Sequence, residues 1–186
     1  MDAKRLDRFE DILRDGLVKL CHGEGLCPDK LPSTPDLEEA WTRYAKPYMA
    51  DAVENFNQYP EAALAWAAFL GMGVAHNWDL DWPAHKNDDY TSYYGSRGWD
   101  DLDEYILGPF LRLTPEFAKK VSGAFDSCAL AAMGLMRHEG IETWTEDGFW
   151  AIARICGVMF RLGAGVELHR LGYKMTAVPI ITTNQS

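Results

Sequence analysis

The fold is decided by the stretch Pro60-Glu61-Ala62-Ala63-Leu64-Ala65-Trp66-Ala67-Ala68-Phe69-Leu70-Gly71-Met72-Gly73-Val74-Ala75. Proline followed by glutamate suits the first turn of a helix, and residues 62–75 are apolar on every side of that helix. Other elements must therefore surround it. The run is too short to cross a bilayer, which takes about 20 residues, so the sequence predicts a central core helix and no membrane span.

Small residues run through this central helix, at Ala65, Ala67, Ala68, Gly71 and Gly73. They leave little side-chain bulk, so either a neighbouring backbone or a ligand could approach closely. Because protein cores are filled to crystal-like density, close packing against another helix is the simpler interpretation.

Helical periodicity and capping residues define the elements on either side. Residues 4–22 form an amphipathic helix that stops at Gly23-Glu24-Gly25. Thr34-Pro35-Asp36 and Thr114-Pro115-Glu116 each combine a cap, a first-turn proline and an acid, and Thr145-Glu146-Asp147 opens the last helix. Pro47 predicts a kink near Ala45 in the second helix or a division of that helix into two.

The remaining parts are a short helix and two irregular segments. The short helix lies between Asp100 and Leu111 and is ended or kinked by Gly108-Pro109. A long aromatic and acidic loop covers 76–104, and an extended tail covers 175–186. The predicted fold is all-α, a single domain of residues 1–186 built as an irregular bundle of about six helices.

Composition excludes several classes of protein. The formal net charge of -10, with basic residues scattered along the chain, argues against a nucleic-acid partner. Residues 1–8 carry mixed charge and lack the apolar stretch of a secretory signal. Cys128 and Cys156 lie in apolar helical stretches, and Cys21 and Cys27 do not have zinc-knuckle spacing. We expect a soluble, cytoplasmic protein with reduced, buried cysteines.

The segment from His76 to Glu104 concentrates more side-chain chemistry than any other region. Aromatic rings could stack on a ligand while carboxylates accept its hydrogen bonds. The plainer alternative is a structural cap, in which the aromatics close the open end of the bundle and the aspartates keep the loop solvated. Arg97 is either an ion-pair partner for the nearby acids or a contact for an anionic group. The predicted ligand-binding residues are Trp78, Asp79, Asp81, Trp82, Tyr93, Tyr94, Arg97, Trp99 and Asp100.

A metal site would require His, Asp or Glu side chains to converge from separated segments. The pattern is weak, because neither Glu-x-x-His nor His-Glu-x-x-His occurs in the chain. We therefore predict no metal site. The residues that could contribute to one are His76, Asp79, His138, Glu139, Glu167 and His169.

No cofactor is predicted either. Gly71-Met72-Gly73 and Gly163-Ala164-Gly165 both lack the third glycine and the preceding strand of a dinucleotide site. Gly95-Ser96-Arg97-Gly98 does not have the glycine spacing of a nucleophile elbow.

The residues favour a binding or interaction protein that uses segment 76–104, because tryptophan and tyrosine are enriched at recognition sites. Its partner would be a small molecule or a protein. The alternative is a hydrolase, possibly assisted by a metal, that uses His76, Asp79 and Asp81.

Overall fold

The protein is an all-α bundle of six helices, seen in a computed structural model that describes residues 3–174. The helices are α1 (Ala3–Gly23), α2 (Pro35–Asn55), α3 (Pro60–His85), α4 (Leu102–Tyr105), α5 (Pro115–His138) and α6 (Glu146–Arg170). The described residues contain no strand, and their one isolated bridge joins Gly95 to Gly98. The tail predicted for 175–186 lies outside them.

Helix α3 lies at the centre and packs most extensively against α6. The predicted close approach is confirmed, because a Cβ added to Gly163 would overlap the carbonyl of Ala68 and one added to Gly71 would overlap the carbonyl of Phe160. Because these two glycines have no side chain, the backbones of α3 and α6 come into contact. By length and composition α6 could also cross a membrane, but 72% of its most apolar window is buried inside the fold, as expected of a core helix.

The outer helices begin where their caps predict. The hydroxyls of Thr34, Thr114 and Thr145 accept hydrogen bonds from the backbone amides that open α2, α5 and α6. Helix α5 ends at His138, just before Gly140, whose φ of 65° is the left-handed conformation that glycine tolerates. Helix α2 continues through Pro47 as one element rather than two.

The aromatic and acidic loop begins later than predicted, because residues 76–85 belong to α3. Only Asp81 leaves helical geometry, with φ -166° and ψ 81°, and its carboxylate then accepts the amide of Ala84. This side chain caps a short second helix that contains Pro83. The polar residues His76, Asn77 and Asp79 remain helical because side chains from other elements supply partners for them.

The rest of the segment folds into short turns over the bundle. Tyr90–Tyr93 and Trp99–Asp101 are 3₁₀ helices, and α4 follows directly. The Gly108-Pro109 interruption takes the form of a π turn over Ile106–Phe110, with the amide of Leu111 bonded to the carbonyl of Ile106 at 2.9 Å. The predicted end of the short helix is thus a π turn, which is wider than a turn of α-helix.

Candidate functional site

A groove lies where the middle of α2 faces segment 87–94. Its volume is about 580 Å³, within the usual range for ligand pockets. We call it the tyrosine–aspartate groove. Its lining residues are Arg43, Tyr44, Pro47, Ala50, Asp51, Asn87, Asp88, Asp89, Tyr90, Thr91 and Tyr94.

Two tyrosine hydroxyls fix the segment to α2. Tyr94 donates a hydrogen bond to the carboxylate of Asp51, and Tyr44 donates to the carbonyl of Asp88 at 2.8 Å. Burial raises the pKa of Tyr94 and of Tyr44, and the Asp51 carboxylate adds to the shift at Tyr94. Both phenols therefore stay protonated at neutral pH and keep donating.

Tyr90 forms the inner wall of the groove. Its ring packs edge to face on Tyr94, with centroids 5.0 Å apart, and lies 6.2 Å from the ring of Tyr44. The residue is only 3% exposed, and burial together with the neighbouring Tyr94 hydroxyl raises the pKa of Tyr90. Its hydroxyl is closed off from the groove, so Tyr90 gives the groove its shape and offers a ligand no polar contact.

The charge of the groove is predominantly negative. The carboxylate of Asp88 accepts a hydrogen bond from Nδ1 of His85 at 2.7 Å, and that of Asp89 accepts from the amide and hydroxyl of Thr91. Arg43 is the one basic residue in the lining, and its guanidinium lies 5.1 Å from the ring centre of Tyr44. The groove thus already holds a cation against an aromatic face.

A smaller cleft of about 290 Å³ adjoins the groove through two shared residues, Arg43 and Asn87. It lies between the start of α2 and the short helix after Asp81. Its other lining residues are Asp36, Glu39, Trp82, Pro83 and Lys86. Groove and cleft together present aromatic rings and five carboxylates from α2 and segment 82–94.

Of the predicted binding residues, Tyr94 lines the groove and Trp82 lines the cleft. Trp78 and Asp79 lie on α3, where the Trp78 indole donates to Asp36 at 2.9 Å and Asp79 accepts from the Tyr173 hydroxyl at 2.6 Å. Asp81 is the cap described above. These three residues therefore have structural partners outside the groove.

Tyr93 and Trp99 belong to the core. Tyr93 is fully buried and accepts a hydrogen bond from the amide of Asn77 at 3.2 Å. Trp99 is 7% exposed and packs edge to face on Trp66, with centroids 4.3 Å apart. The cap interpretation of the segment describes this part of it well.

Of the two roles predicted for Arg97, the structure shows that of an ion-pair partner for nearby acids. Its guanidinium donates to Asp101 at 2.8 Å and to Glu104 at 2.7 Å. The guanidinium holds the pKa of Asp101 below its usual range, and the hydroxyl of Ser96 also donates to this carboxylate. The neighbouring Asp100 is exposed.

Among the candidate metal ligands, one pair is joined by a hydrogen bond. His76 Nδ1 donates to the fully buried carboxylate of Glu167 at 2.9 Å, and Arg170 holds the same carboxylate through two hydrogen bonds of 2.7 and 2.6 Å. His138 ends α5 and His169 lies in the last turn of α6. Within residues 3–174 no three such side chains form a metal-binding group.

Another cleft, of about 630 Å³, lies between α1, the α1–α2 connection and α6. Arg161 projects into it but is bound by both oxygens of Glu38 at 2.8 Å, while Arg154 pairs with Glu10. The two arginines thus meet acids from α1 and α2. Four acids and four bases line this cleft, so it offers no clear preference for a charged ligand.

Sequence reasoning did not identify Arg43, Tyr44, Asp51 and Tyr90 as groove residues. One pattern indicates the wall that α2 contributes to the groove. Asp51 follows Tyr44 by seven residues, so both side chains lie on the same face of that helix. The pairing of that face with segment 87–94 depends on tertiary packing. Local periodicity does not encode it.

Comparisons with known proteins add no relative: no family model, curated protein or solved structure matches this chain.

Proposed function

We propose that this chain is a binding protein, not an enzyme, and that its ligand enters the tyrosine–aspartate groove. The groove contains the part of segment 76–104 where aromatic and acidic side chains meet around a cavity. Its wall is a surface loop held on a helical scaffold, an arrangement that many binding sites share. This proposal narrows the predicted binding segment to residues 82–94 and adds one face of α2.

The observation that carries the proposal is the convergence of three carboxylates, those of Asp51, Asp88 and Asp89, with tyrosine rings around one open groove. The hydroxyls of Tyr44 and Tyr94 donate to Asp88 and Asp51 and so hold the two walls of the groove together. A structural cap does not require such a cavity, whereas a binding site does.

A cytoplasmic location and a small molecule or protein as partner accompany this proposal. All four cysteines are free and buried, which suits thiols that serve as small hydrophobic side chains in the core.

The hydrolase alternative rests on a different site. The buried Glu167 carboxylate orients His76, as a carboxylate does for a histidine that acts as a general base. Asp79 and Asp81, the other residues of that alternative, are hydrogen-bonded to Tyr173 and Ala84. Hydrolysis of an ester or phosphoester substrate that disappears in His76→Ala but persists in Asp51→Asn would favour the enzyme over the binding protein.

The proposal is tested by ligand-observed NMR with a panel of choline, arginine amide, acetate, inorganic phosphate and phenol. We expect at least one probe to bind the wild type, and its affinity to fall about tenfold in Asp51→Asn, because the change removes a charged contact of about 1.5 kcal/mol. Tyr94→Phe should also weaken binding, because it removes the hydroxyl that positions the Asp51 carboxylate. Asp100→Asn is the matched control, since Asp100 is exposed and lies outside the groove.

Two outcomes would contradict the proposal. One is that every probe that binds does so equally well to wild type, Asp51→Asn and Tyr94→Phe. The other is that Asp100→Asn weakens binding as much as the groove variants do. Thermal denaturation of each variant establishes that the fold is intact before its binding is compared.

A further inference from the structure

A second groove lies where the end of α5 meets the connection to α6, and its volume is about 570 Å³. Two methionines, Met133 and Met136, line it together with Ile141 and Trp144. We call it the methionine groove. Flexible methionine side chains adapt to the shape of an inserted apolar group, which is why they are frequent on surfaces that bind peptides.

Trp144 stands at the edge of this groove with most of its surface in water. The residue is 65% exposed, and its ring packs edge to face on the buried Phe56, with centroids 6.2 Å apart. Phe149 and Trp150, at the start of α6, are exposed as well and pack on each other. Exposed apolar surface beside a groove is typical of interaction sites, and tryptophan is enriched among the residues that dominate binding energy.

The charge beside the groove is predominantly negative. Residues 138–153 contain neither lysine nor arginine and include four acids, Glu139, Glu142, Glu146 and Asp147. Glu142 lines the groove, and both Glu142 and Glu146 are exposed. Neither of these two carboxylates forms an ion pair with any residue among 3–174. The described lining contains one base, Arg137, so acids outnumber bases around the apolar surface.

This combination of charge and apolar surface distinguishes between possible partners. A two-fold contact with a second copy of this chain would bring the same carboxylates face to face, which like-charge repulsion disfavours. Nucleic acid is disfavoured for the same reason. A protein segment with apolar side chains on one face and lysine or arginine beside them complements both the groove and its carboxylates.

We infer that the methionine groove and Trp144 form a docking surface for a basic amphipathic segment of another protein. An apolar side chain of that segment fills the groove, and its cations lie beside Glu142 and Glu146. The methionine groove and the tyrosine–aspartate groove have no lining residue in common, so this surface is independent of the proposed ligand site.

Two synthetic peptides of about 15 residues, roughly four helical turns, test this surface. One has leucine and lysine in the pattern of an amphipathic helix, and the other has glutamate in place of every lysine. In isothermal titration calorimetry we expect the leucine–lysine peptide to bind the wild type and the leucine–glutamate peptide not to bind. Trp144→Ala should weaken binding at least about fivefold, as expected when a tryptophan that dominates an interface is truncated.

The contribution of charge is measured in the double variant Glu142→Gln, Glu146→Gln. Its affinity for the leucine–lysine peptide should fall about two- to threefold, and the remaining binding should depend less on salt. Leu80→Ala and Asp100→Asn are the matched controls, because both residues are exposed and lie outside the groove. Both should bind as the wild type does, and thermal denaturation establishes that every variant is folded.

Three results of the titrations would overturn the inference. Equal binding of the leucine–lysine peptide to wild type and Trp144→Ala would place it elsewhere on this acidic chain. Binding of neither peptide, or equal binding of both, would remove the basic partner. Sedimentation equilibrium of the protein alone adds a fourth: a dimer that Trp144→Ala dissociates would assign the surface to a second copy of this chain instead. None of these results bears on the tyrosine–aspartate groove.

Discussion

The contact between α3 and α6 and the aromatic segment 86–101 are both buried, but opposite kinds of residue build them. Gly71 and Gly163 allow α3 and α6 to meet backbone to backbone. The segment is instead held by large side chains, with Trp99 and Tyr93 inserted in the core and Arg97 fastened to Asp101. The contact between α3 and α6 has no room for an added side-chain atom, whereas the segment is held in place by its large side chains.

The comparison predicts the largest loss of stability from removing a ring of the segment. Trp99→Ala should lower the free energy of unfolding by about 3–5 kcal/mol, because it leaves a cavity beside Trp66 and Tyr48. Trp99→Phe should cost less, since it removes an indole N–H that has no partner among residues 3–174. Urea denaturation measures both values.

Trp144→Ala is the control for ring removal, because Trp144 is 65% exposed. We expect its loss to cost less than about 1 kcal/mol, as is usual for surface positions. If Trp99→Ala cost no more than Trp144→Ala, the segment would be a loose cover and not part of the core.

Adding one methyl group at the helix contact should produce the next largest effect. Gly163→Ala should lower the free energy of unfolding by about 1–3 kcal/mol or more, because the new Cβ overlaps the backbone carbonyl of Ala68, which cannot move aside as a side chain would. Chemical denaturation at neutral pH gives the value directly.

Gly123→Ala provides a matched control in α5, where an added Cβ meets open space. This change should stabilise the protein by about 0.5–1 kcal/mol, the difference in helix propensity between alanine and glycine. Equal effects at positions 123 and 163 would mean that α3 and α6 are not in backbone contact.

The same contrast explains how much of the fold could be predicted. The core helix, the caps at Thr34, Thr114 and Thr145 and the stop at Gly140 depend on local chemistry and on periodicity, so the sequence predicts them well. The length of α3 cannot be predicted in this way. Its polar residues stay helical because Asn77 reaches Tyr93 and His76 reaches Glu167, which is 91 residues away in the chain.

The candidate site was predictable only in part. Composition located the chemistry-rich segment and its Tyr94 and Trp82, and the cap alternative anticipated the burial of Tyr93 and Trp99. The opposite wall of the groove comes from α2. In the sequence, Tyr44 is only one more residue of the apolar stripe of that helix. Only the packing of segment 87–94 against that stripe turns it into a lining residue.

The smallest expected effect is a difference between the two regions in their response to acid. Arg97 holds the pKa of Asp101 below its usual range, so this carboxylate stabilises the folded segment above the unfolded pKa of about 3.9. That stabilisation is lost as the pH falls through the lower folded value. Asp103 acts in the opposite sense, because burial raises its pKa and acid therefore favours its folded form.

Hydrogen exchange measured by mass spectrometry at pH 7 and at pH 3, corrected for intrinsic rates, separates these contributions. Protection of residues 95–101 should fall several-fold more than protection across the α3–α6 contact, whose glycines and apolar side chains do not titrate. In Asp101→Asn the segment should already exchange faster at pH 7 and change little on acidification. A segment that loses protection in acid equally in wild type and Asp101→Asn would show that the ion pair with Arg97 does not hold it, and that its packed rings alone keep it in place.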